Sequence, residues 1–267
     1  MNGSKVAVVT GGTFGIGRDI TLGLAEKGHS VVAFGLEAAQ VSSTAEGSVS
    51  SLRSEVERRG LSVEVLDADV TDAAAVAGVV DHTLTHHGRI DALVNNAAVG
   101  PLGTVLDTDE ELFERILSVN LKGPYLTSRA VLPHLLEGGG GSIVNIGSGA
   151  GWGKPNMAAY AASKGGLFAL SAATAYDFFH DRVRVNTVVP GGGGIVSGIS
   201  LGRMGANAAS FGKGAAGSAA GRPVNGNDIA NVVAFLISDA AEAISGTVVD
   251  VGCFSHQGGP VNRKKES

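Results

Sequence analysis

Tyr160 and Lys164 are four positions apart and could form a proton-handling pair. Residues at positions i and i+4 of an α-helix share one face, so the ammonium would lie beside the phenol. A free phenol has a pKa near ~10, and a neighbouring positive charge lowers that pKa because it favours the phenolate. The pair therefore suits acid–base catalysis near neutral pH. The alternative is an ordinary surface contact on a helix, because a single pair of this kind is common.

Two further polar residues could act on the same substrate atoms. Ser148 follows an apolar segment, 143–146, that is predicted to be a strand. Its hydroxyl is then expected at the carboxyl edge of a sheet, where it could bind a substrate carbonyl and stabilise developing negative charge. Asn120 lies inside a long helical pattern. Its amide could hold a water that relays protons from Lys164 to solvent, or it could be a satisfied buried amide.

A glycine-rich turn at residues 10–17 lies between the first predicted strand and the first predicted helix. Gly11 permits a tight turn, Gly15 lets the backbone approach a pyrophosphate, and Gly17 permits close packing against the sheet. The helix N-terminus adds unpaired N–H groups and the positive end of the helix dipole. Glycine-rich turns alone match many unrelated proteins, but a position directly after the first strand favours a dinucleotide site.

The end of the second predicted strand bears on which dinucleotide binds. A carboxylate there would bind the ribose hydroxyls of NAD, whereas an arginine would hold the extra phosphate of NADP. Gly35 and Leu36 supply neither group, Glu37 is the nearest carboxylate, and Arg18 could attract a phosphate. Glu37 would repel that phosphate, so the sequence favours NAD, with NADP as the alternative. Asp69 could bind the adenine amino group or serve as a turn carboxylate, and both interpretations stay open.

Strands and helices alternate along the chain, and most of the strands are apolar on both faces. That pattern predicts a mainly parallel sheet covered by helices on each side, in three layers. Right-handed crossovers then give a doubly wound α/β fold of Rossmann type with about seven strands. The predicted strands are 6–10, 30–34, 62–66, 92–95, 142–146, 184–189 and 247–251, the last at an edge. The predicted helices are 16–28, 45–60, 72–87, 109–137, 157–180 and 226–238, with Thr71 or Asp72 capping the third and a residue of 107–109 the fourth.

The length of the chain fits one large domain or two small ones, and because neither an internal repeat nor an interdomain linker is apparent, we expect one domain spanning residues 1–267. Hydrophobic residues make up 44% of the chain and charged residues 17%, which argues against extensive disorder. The chain has 41 glycines, about twice the usual share of ~7%. Many of them fall in a Gly/Ala/Ser-rich segment at about 191–221, predicted to be a substrate lid, with a disordered surface loop as the alternative. Residues 256–267 are predicted to be a flexible tail.

Charge and cysteine content exclude several classes of function. A net charge of −5 gives no basis for binding nucleic acids or anionic membranes. Cys253 is the one cysteine, so an internal disulfide or a multi-cysteine zinc site is excluded. His134, His180 and the pair His86–His87 lie on predicted helices without metal-ligand spacing, so no metal site is predicted. With neither a signal-peptide pattern nor an apolar run of ~20 residues, we expect a cytoplasmic protein.

Taken together, these motifs resemble the short-chain dehydrogenase/reductase family in order and spacing. The resemblance covers roughly residues 4–252. The matching residues are Thr10 with the glycines of 11–17, Asp69-Val70, Asn95-Asn96-Ala97, Asn120, Ser148, Tyr160 with Ala161, Ala162, Ser163 and Lys164, Pro190-Gly191, and the stretch from Gly221-Arg222-Pro223 to Ile244-Ser245-Gly246.

The resemblance implies a catalytic tetrad of Asn120, Ser148, Tyr160 and Lys164. Lys164 would also hold the nicotinamide ribose, and Asn95 would support the central sheet. The cofactor contacts it implies are Gly11, Thr13, Phe14, Gly15, Ile16, Gly17, Asp69, Val70, Asn96, Ala97, Tyr160, Lys164, Pro190 and Gly191.

The resemblance also implies an activity and an assembly. The activity is NAD(P)-dependent hydride transfer between a nicotinamide cofactor and a secondary alcohol or ketone, including sugar-like and cyclic alcohols. The assembly is a homo-oligomer, a tetramer or a dimer, built on paired long helices. The alternative function is a non-catalytic dinucleotide-binding regulator on the same fold, which would have no need of all four tetrad groups.

The sequence departs from the family pattern on the substrate side. Ala98 replaces a usual glycine, and two extra glycines after Pro190-Gly191 shift Ser197 to the place of a usual threonine. The usual Asp-Gly-Gly of the last strand is replaced by residues 250–253. The candidate pocket residues, each of which could instead be core or loop packing, are Trp152, Met157, Met204 and Phe211.

Overall fold

A single parallel sheet of seven strands runs through the part of the chain that the computed structural model describes, residues 4–37, 49–191, 199 and 218–252. The strands are β1 (Val6–Thr10), β2 (Ser30–Gly35), β3 (Val63–Asp67), β4 (Ala92–Asn95), β5 (Gly141–Ile146), β6 (Val183–Pro190) and β7 (Val248–Val251). Their order across the sheet is β3-β2-β1-β4-β5-β6-β7. This order confirms the doubly wound fold, with β7 at an edge, and places a topological switch between β1 and β4.

Seven α-helices cover the sheet in the described residues. They are α1 (Gly15–Glu26), α2 (Val49–Arg59), α3 (Ala73–His87), α4 (Glu110–Leu117), α5 (Gly123–Glu137), α6 (Ala158–Asp177) and α7 (Gly226–Ile237). The continuous helix predicted over 109–137 is interrupted by a π-helical turn, Ser118–Lys122, which joins α4 to α5. Among these helices, none has both the length and the apolar character needed to cross a bilayer.

The core lies in two layers, one on each face of the sheet. On one face, residues such as Ile20, Leu52 and Val233 pack from α1, α2 and α7. On the other face, residues such as Val79 and Leu135 pack from α3 and α5. All five residues of β1 are buried, as expected for a parallel strand covered on both sides. The three predicted layers are therefore confirmed.

Two of the predicted helix caps are present. The Asp72 carboxylate accepts hydrogen bonds from the N–H groups of Ala74 and Ala75 at the start of α3. The Asp109 carboxylate accepts one from Leu112 N–H at the start of α4, at 2.8 Å. Each carboxylate also complements the positive end of its helix dipole, so these two helices begin at positions that the sequence fixes locally.

A buried polar network crosses the centre of the sheet and ties it to α5 and α6. Asn95 Nδ2 on β4 donates to Asn145 Oδ1 on β5 at 2.8 Å, and Asn145 Nδ2 donates to Ser171 Oγ on α6 at 2.8 Å. Thr127 Oγ1 on α5 donates to Asn95 Oδ1 at 2.6 Å. A satisfied network of this kind fixes the relative positions of the elements it joins, which is the supporting role that the family resemblance implies for Asn95.

We expect Asn95→Ala to lower the free energy of unfolding by about 1–3 kcal/mol, because Asn145 Oδ1 would lose the Asn95 donor inside the core. Urea denaturation monitored by circular dichroism measures this change. The matched control is Asn231→Ala on the exposed side of α7, which we expect to change stability by less than about 0.5 kcal/mol. Equal stabilities of the two variants would contradict the structural role of Asn95.

Candidate active site

The predicted functional residues gather at the carboxyl edge of the sheet. The glycine turn follows β1, Asn96 and Ala97 follow β4, and Ser148 follows β5. Pro190 and Gly191 come at the end of β6, where Gly191 N–H donates to Val251 O at 3.0 Å. Since the strand order reverses between β1 and β4, a crevice opens at this edge, where open α/β sheets bind their ligands.

The glycine turn disfavours other residues at three positions, two because of the backbone conformation and one because of close packing. Gly11 and Gly15 have φ angles of +59° and +52°, in the left-handed region that favours glycine. A Cβ atom on Gly17 would lie 2.0 Å from the Gly11 carbonyl oxygen and 2.4 Å from Asn96 Nδ2. Gly17 thus packs against the turn itself and against Asn96, rather than only against the sheet.

Two side chains hold the turn against the segment after β4. Thr10 Oγ1 accepts hydrogen bonds from Asn96 N–H and Ala97 N–H, each at 3.0 Å. Asn96 Nδ2 donates to Gly11 O at 2.9 Å. The predicted cofactor residues Asn96 and Ala97 therefore form one wall with the turn.

The N-terminus of α1 suits an anion. Its first residue follows Phe14, which has an extended backbone and makes no side-chain capping bond. No acidic residue lies in the first turn of α1. The first N–H groups of this helix and the positive end of its dipole are therefore not compensated by a carboxylate, unlike those of α3 and α4. Phosphate groups bind helix ends of this kind.

The last residue of β2 is Gly35, which has no side chain that could bind a ribose. A Cβ atom on Gly35 would lie 2.9 Å from Thr13 Oγ1. Glu37, two residues on, accepts a hydrogen bond from Ser50 Oγ at 3.2 Å. The Arg18 guanidinium forms an ion pair with Glu55 of α2, which reduces its availability to a phosphate.

Asp69 takes the turn role that was one of its two interpretations. Its Oδ1 accepts from both the N–H and the hydroxyl of Thr71, each at 2.8 Å. The adenine contact stays a prediction. The adjacent Val70 is buried and lies beside Gly123 at the start of α5.

Tyr160 and Lys164 lie inside the protein and not on its surface. Their exposed fractions are 6% and 3%, which excludes the surface-pair interpretation. Lys164 Nζ lies 5.9 Å from the centroid of the Tyr160 ring and donates to Ile146 O at 2.8 Å. Burial lowers the pKa of Lys164 to about 8. The pair is thus one ammonium and one phenol held side by side at the start of α6.

Ser148 lies between β5 and the 3-10 turn Gly149–Trp152. Its Oγ accepts a hydrogen bond from Ala150 N–H at 3.2 Å. Because the hydroxyl is used there as an acceptor, its proton can still be donated to another oxygen. Its position two residues after Ile146, whose carbonyl holds Lys164, brings the serine and the lysine to the same strand end.

Asn120 is a satisfied buried amide, the second of its two interpretations. Its Oδ1 accepts from Val99 N–H at 2.8 Å, and its Nδ2 donates to Val99 O at 2.8 Å and to Ser163 Oγ at 3.0 Å. Both amide N–H groups are therefore engaged with protein atoms. Ser163 Oγ in turn donates to Tyr160 O at 2.8 Å, so Asn120 reaches the Tyr160 turn through Ser163.

The sequence predicted no separate role for Ser163, Gly103 or Asn156. Ser163 lies between Tyr160 and Lys164 in the sequence, and this position was the one feature that could have indicated a role for it. Gly103 N–H donates to Asn156 O and Ala158 N–H donates to Gly103 O, both at 3.0 Å. These bonds attach the loop after β4 to the segment that leads into Tyr160. Asn156 itself has a φ of +59°, a conformation that asparagine tolerates better than most residues.

The pocket candidates are placed only in part. Trp152 packs against Phe168, with 4.9 Å between ring centroids, and Met157 directly precedes α6. Met204, Phe211 and Ser197 lie outside the described residues, as do most of the predicted lid at 191–221 and the tail at 256–267.

Comparisons with known proteins agree with this geometry. A family model described as short chain dehydrogenase matches residues 5–195. An uncharacterized oxidoreductase from Methylorubrum extorquens is 36% identical, covering 92% of this chain and 95% of that protein. A cyclopentanol dehydrogenase from Comamonas sp. is 34% identical, covering 93% and 96%. The crystal structure of a 3-ketoacyl-(acyl-carrier-protein) reductase from Brucella melitensis, complexed with NADH, is 29% identical with a TM-score of 0.78, covering 94% and 98%.

Because the Lys164 ammonium is buried, we expect the free energy of unfolding to depend on pH. Its pKa is about 8 in the native protein against an ordinary value of 10.5, so the unfolded chain binds more protons between these values. The cost of burying the charge is fully present below pH 8 and is relieved as the pH rises to 10.5. Relative to Lys164→Met, the unfolding free energy of the wild type should therefore rise by about 3 kcal/mol over this range.

Urea denaturation of both proteins from pH 7.5 to 10.5, each carrying Tyr160→Phe to remove the neighbouring phenol, measures the difference, in which the titration of more distant groups largely cancels. A difference that is flat with pH would contradict a depressed Lys164 pKa.

Proposed function

The chain belongs to the short-chain dehydrogenase family and is an NAD(P)-dependent oxidoreductase acting on CH–OH groups, and we propose that Tyr160 exchanges the substrate hydroxyl proton in this reaction. The observation that carries the proposal is the buried Tyr160–Lys164 pair, which Lys164 attaches to the end of β5, two residues before Ser148. The proposed substrate class is secondary alcohols and the matching ketones.

The glycine turn and the start of α1 fit the pyrophosphate of a dinucleotide. Here the backbone N–H groups from Thr13 to Gly17 would face the phosphates, as the uncapped helix end supports. Asn96 and Ala97 form the adjoining wall, and Pro190 and Gly191 end β6 at the same edge. When bound, the nicotinamide ring supplies the hydride acceptor for oxidation or the hydride donor for reduction.

Tyr160 is the proposed proton carrier. In the oxidation direction its phenolate accepts the alcohol proton as the C–H hydride departs, and in the reduction direction its phenol returns a proton to the substrate oxygen. Lys164 favours the phenolate through its positive charge 5.9 Å from the ring. Ser148 donates a hydrogen bond to the same substrate oxygen and stabilises the negative charge that develops on it.

Asn120 is proposed as a positioning residue. Its amide holds Val99 of the loop after β4 and, through Ser163, the backbone of Tyr160. A 1 Å misplacement of a catalytic group is costly, so this connection supports precise placement of the phenol. We propose this role in place of a proton relay through the Asn120 side-chain N–H groups, because both of these groups already donate hydrogen bonds to protein atoms.

Exposed apolar side chains on the loop after β4 support substrates that are largely hydrocarbon, such as cyclic alcohols. Leu102, Val105 and Leu106 are exposed on the loop whose Gly103 is bonded to the segment before Tyr160. The similarity to a cyclopentanol dehydrogenase points to the same class. We also propose a homo-oligomer, a tetramer or a dimer, which the exposed aromatic residues Tyr125 on α5 and Tyr176 on α6 support.

Tyr160→Phe should remove most of the turnover and leave cofactor binding intact, because it deletes only the hydroxyl. General acid–base catalysis contributes about 10²–10⁴-fold, so we expect kcat to fall by at least ~100-fold. A panel of cyclic and linear secondary alcohols and ketones measures turnover, and NADH fluorescence titration measures binding.

The matched control is Tyr176→Phe on the exposed end of α6, which should keep normal turnover. Near-normal turnover in Tyr160→Phe would discard the mechanism. Binding of cofactor by the wild type without turnover on any panel member would favour the regulator instead.

NAD is the proposed cofactor, since Glu37 follows β2 and Arg18 is paired with Glu55. We expect NADH to bind about tenfold more tightly than NADPH, a difference of about 1.4 kcal/mol. Glu37→Gln should narrow this ratio, mainly by improving the affinity for NADPH, because it removes the charge that repels the extra phosphate. Fluorescence titration with both cofactors measures the ratio, and Glu57→Gln on the exposed face of α2 is the control. Tighter binding of NADPH by the wild type would contradict the proposal.

A further inference from the structure

A second group of chemically capable side chains lies at the opposite edge of the sheet. Glu64 is the second residue of the edge strand β3, near the amino end of that strand. His82 and His86 are one helical turn apart near the end of α3, which packs on the same part of the sheet. The proton-handling pair lies at the carboxyl edge, so this group does not belong to that site.

We propose that Glu64, His82 and His86 bind one divalent transition-metal ion of the zinc class. Each residue offers one ligand atom, and these three atoms lie within 4.8 Å of one another. The Glu64 carboxylate already contacts His82 Nε2 directly. The two imidazole rings are stacked with 4.0 Å between their centroids, so the two side chains lie together on the face of α3 that contacts Glu64.

The protonation pattern of His86 matches that of a metal ligand. His86 Nδ1 lies 2.8 Å from the carbonyl oxygen of His82. A carbonyl oxygen only accepts, so in the neutral ring this contact places the proton on Nδ1 and leaves the lone pair on Nε2. Metal-bound histidines use this same arrangement, in which a backbone carbonyl fixes the ring through its other nitrogen. The contact with the His82 carbonyl thus favours the tautomer that can bind a metal through Nε2.

A third histidine, His87, also contacts the Glu64 carboxylate. Its Nε2 lies 2.8 Å from Glu64 Oε1, and this buried nitrogen has no hydrogen bond of ordinary geometry. The Glu64 carboxylate therefore faces ring nitrogens of two histidines of α3, His82 and His87.

The ligand set selects the class of ion. Two imidazoles and one carboxylate suit Zn²⁺ and its neighbours in the first transition series, whereas Mg²⁺ and Ca²⁺ prefer oxygen ligands alone. Tetrahedral coordination with bonds of about 2.0–2.1 Å brings ligand atoms to about 3.3 Å from one another, with water in the fourth position. The side chains are partly exposed and can close this distance. The bound ion would fasten β3 to α3.

The sequence predicted no metal site because His86 was considered with its neighbour His87. The useful spacing is instead the four-residue interval from His82, which places both rings on one face of α3. Glu64 is 18 residues before His82 and is joined to it only by the fold.

Zn²⁺ titration of the full-length, tag-free and metal-stripped protein against a chromophoric chelator tests the site. We expect one ion per chain at this site and an increase in Tm with Zn²⁺ but not with Mg²⁺. His82→Gln and His86→Gln should each lower the affinity at least tenfold and remove the increase in Tm, and Co²⁺ should give tetrahedral absorption bands in the wild type alone.

The matched control is His134→Gln on α5, where His134 Nδ1 lies 3.4 Å from Glu137 Oε2. This variant should bind Zn²⁺ as the wild type does. Absence of Zn²⁺ binding in the wild type, or equal affinity in the His82 and His86 variants, would overturn the proposal. Circular dichroism confirms that each variant is folded, and turnover is not needed for either readout.

Discussion

Burial of the Lys164 ammonium is the constraint on which the carboxyl edge of the sheet depends. A charge taken out of water is costly unless polar groups replace the lost hydration, and the lowered pKa of about 8 reflects that cost. The replacement includes the Ile146 carbonyl, the last carbonyl of β5, at 2.8 Å. The strand that leads to Ser148 is thus also the strand that holds the lysine. Any shift of β5 against α6 would disturb the serine, the lysine and the tyrosine together.

Two chains of buried hydrogen bonds prevent such a shift, and both end on α6. One runs from Asn95 through Asn145 to Ser171, and the other runs from Asn120 to Ser163. Ser163 and Ser171 are eight residues apart, so α6 is fixed at two points about two turns from each other. Attachment at two points opposes both sliding and rotation of α6, and so favours the Tyr160 position that the proposed proton transfer requires.

The sequence predicted the sheet well because its strands are apolar on both faces. β4 was predicted with its observed bounds, and β2 and β3 were each predicted within one residue. The π-helical turn was missed, because the helical pattern of α4 and α5 continues through Ser118–Lys122 without a break. Motif spacing in the sequence indicated the candidate site residues, but it did not indicate the residues that form hydrogen bonds with them. The bond of Asn120 to Val99 and the carbonyl that binds Lys164 are contacts between distant segments, which local patterns do not encode. The lid and Ser197 lie beyond the described ranges and stay predictions.

The two proposed ligand sites follow from one property of the parallel fold. Every crossover helix starts near the carboxyl edge of the sheet and ends near the amino edge, so the two edges receive opposite ends of the helix dipoles. The uncapped start of α1 presents positive potential at the carboxyl edge, where phosphates would bind. The end of α3 presents negative potential at the amino edge, where the histidines face Glu64. Anionic phosphates and a metal cation are therefore favoured at opposite edges of the same sheet.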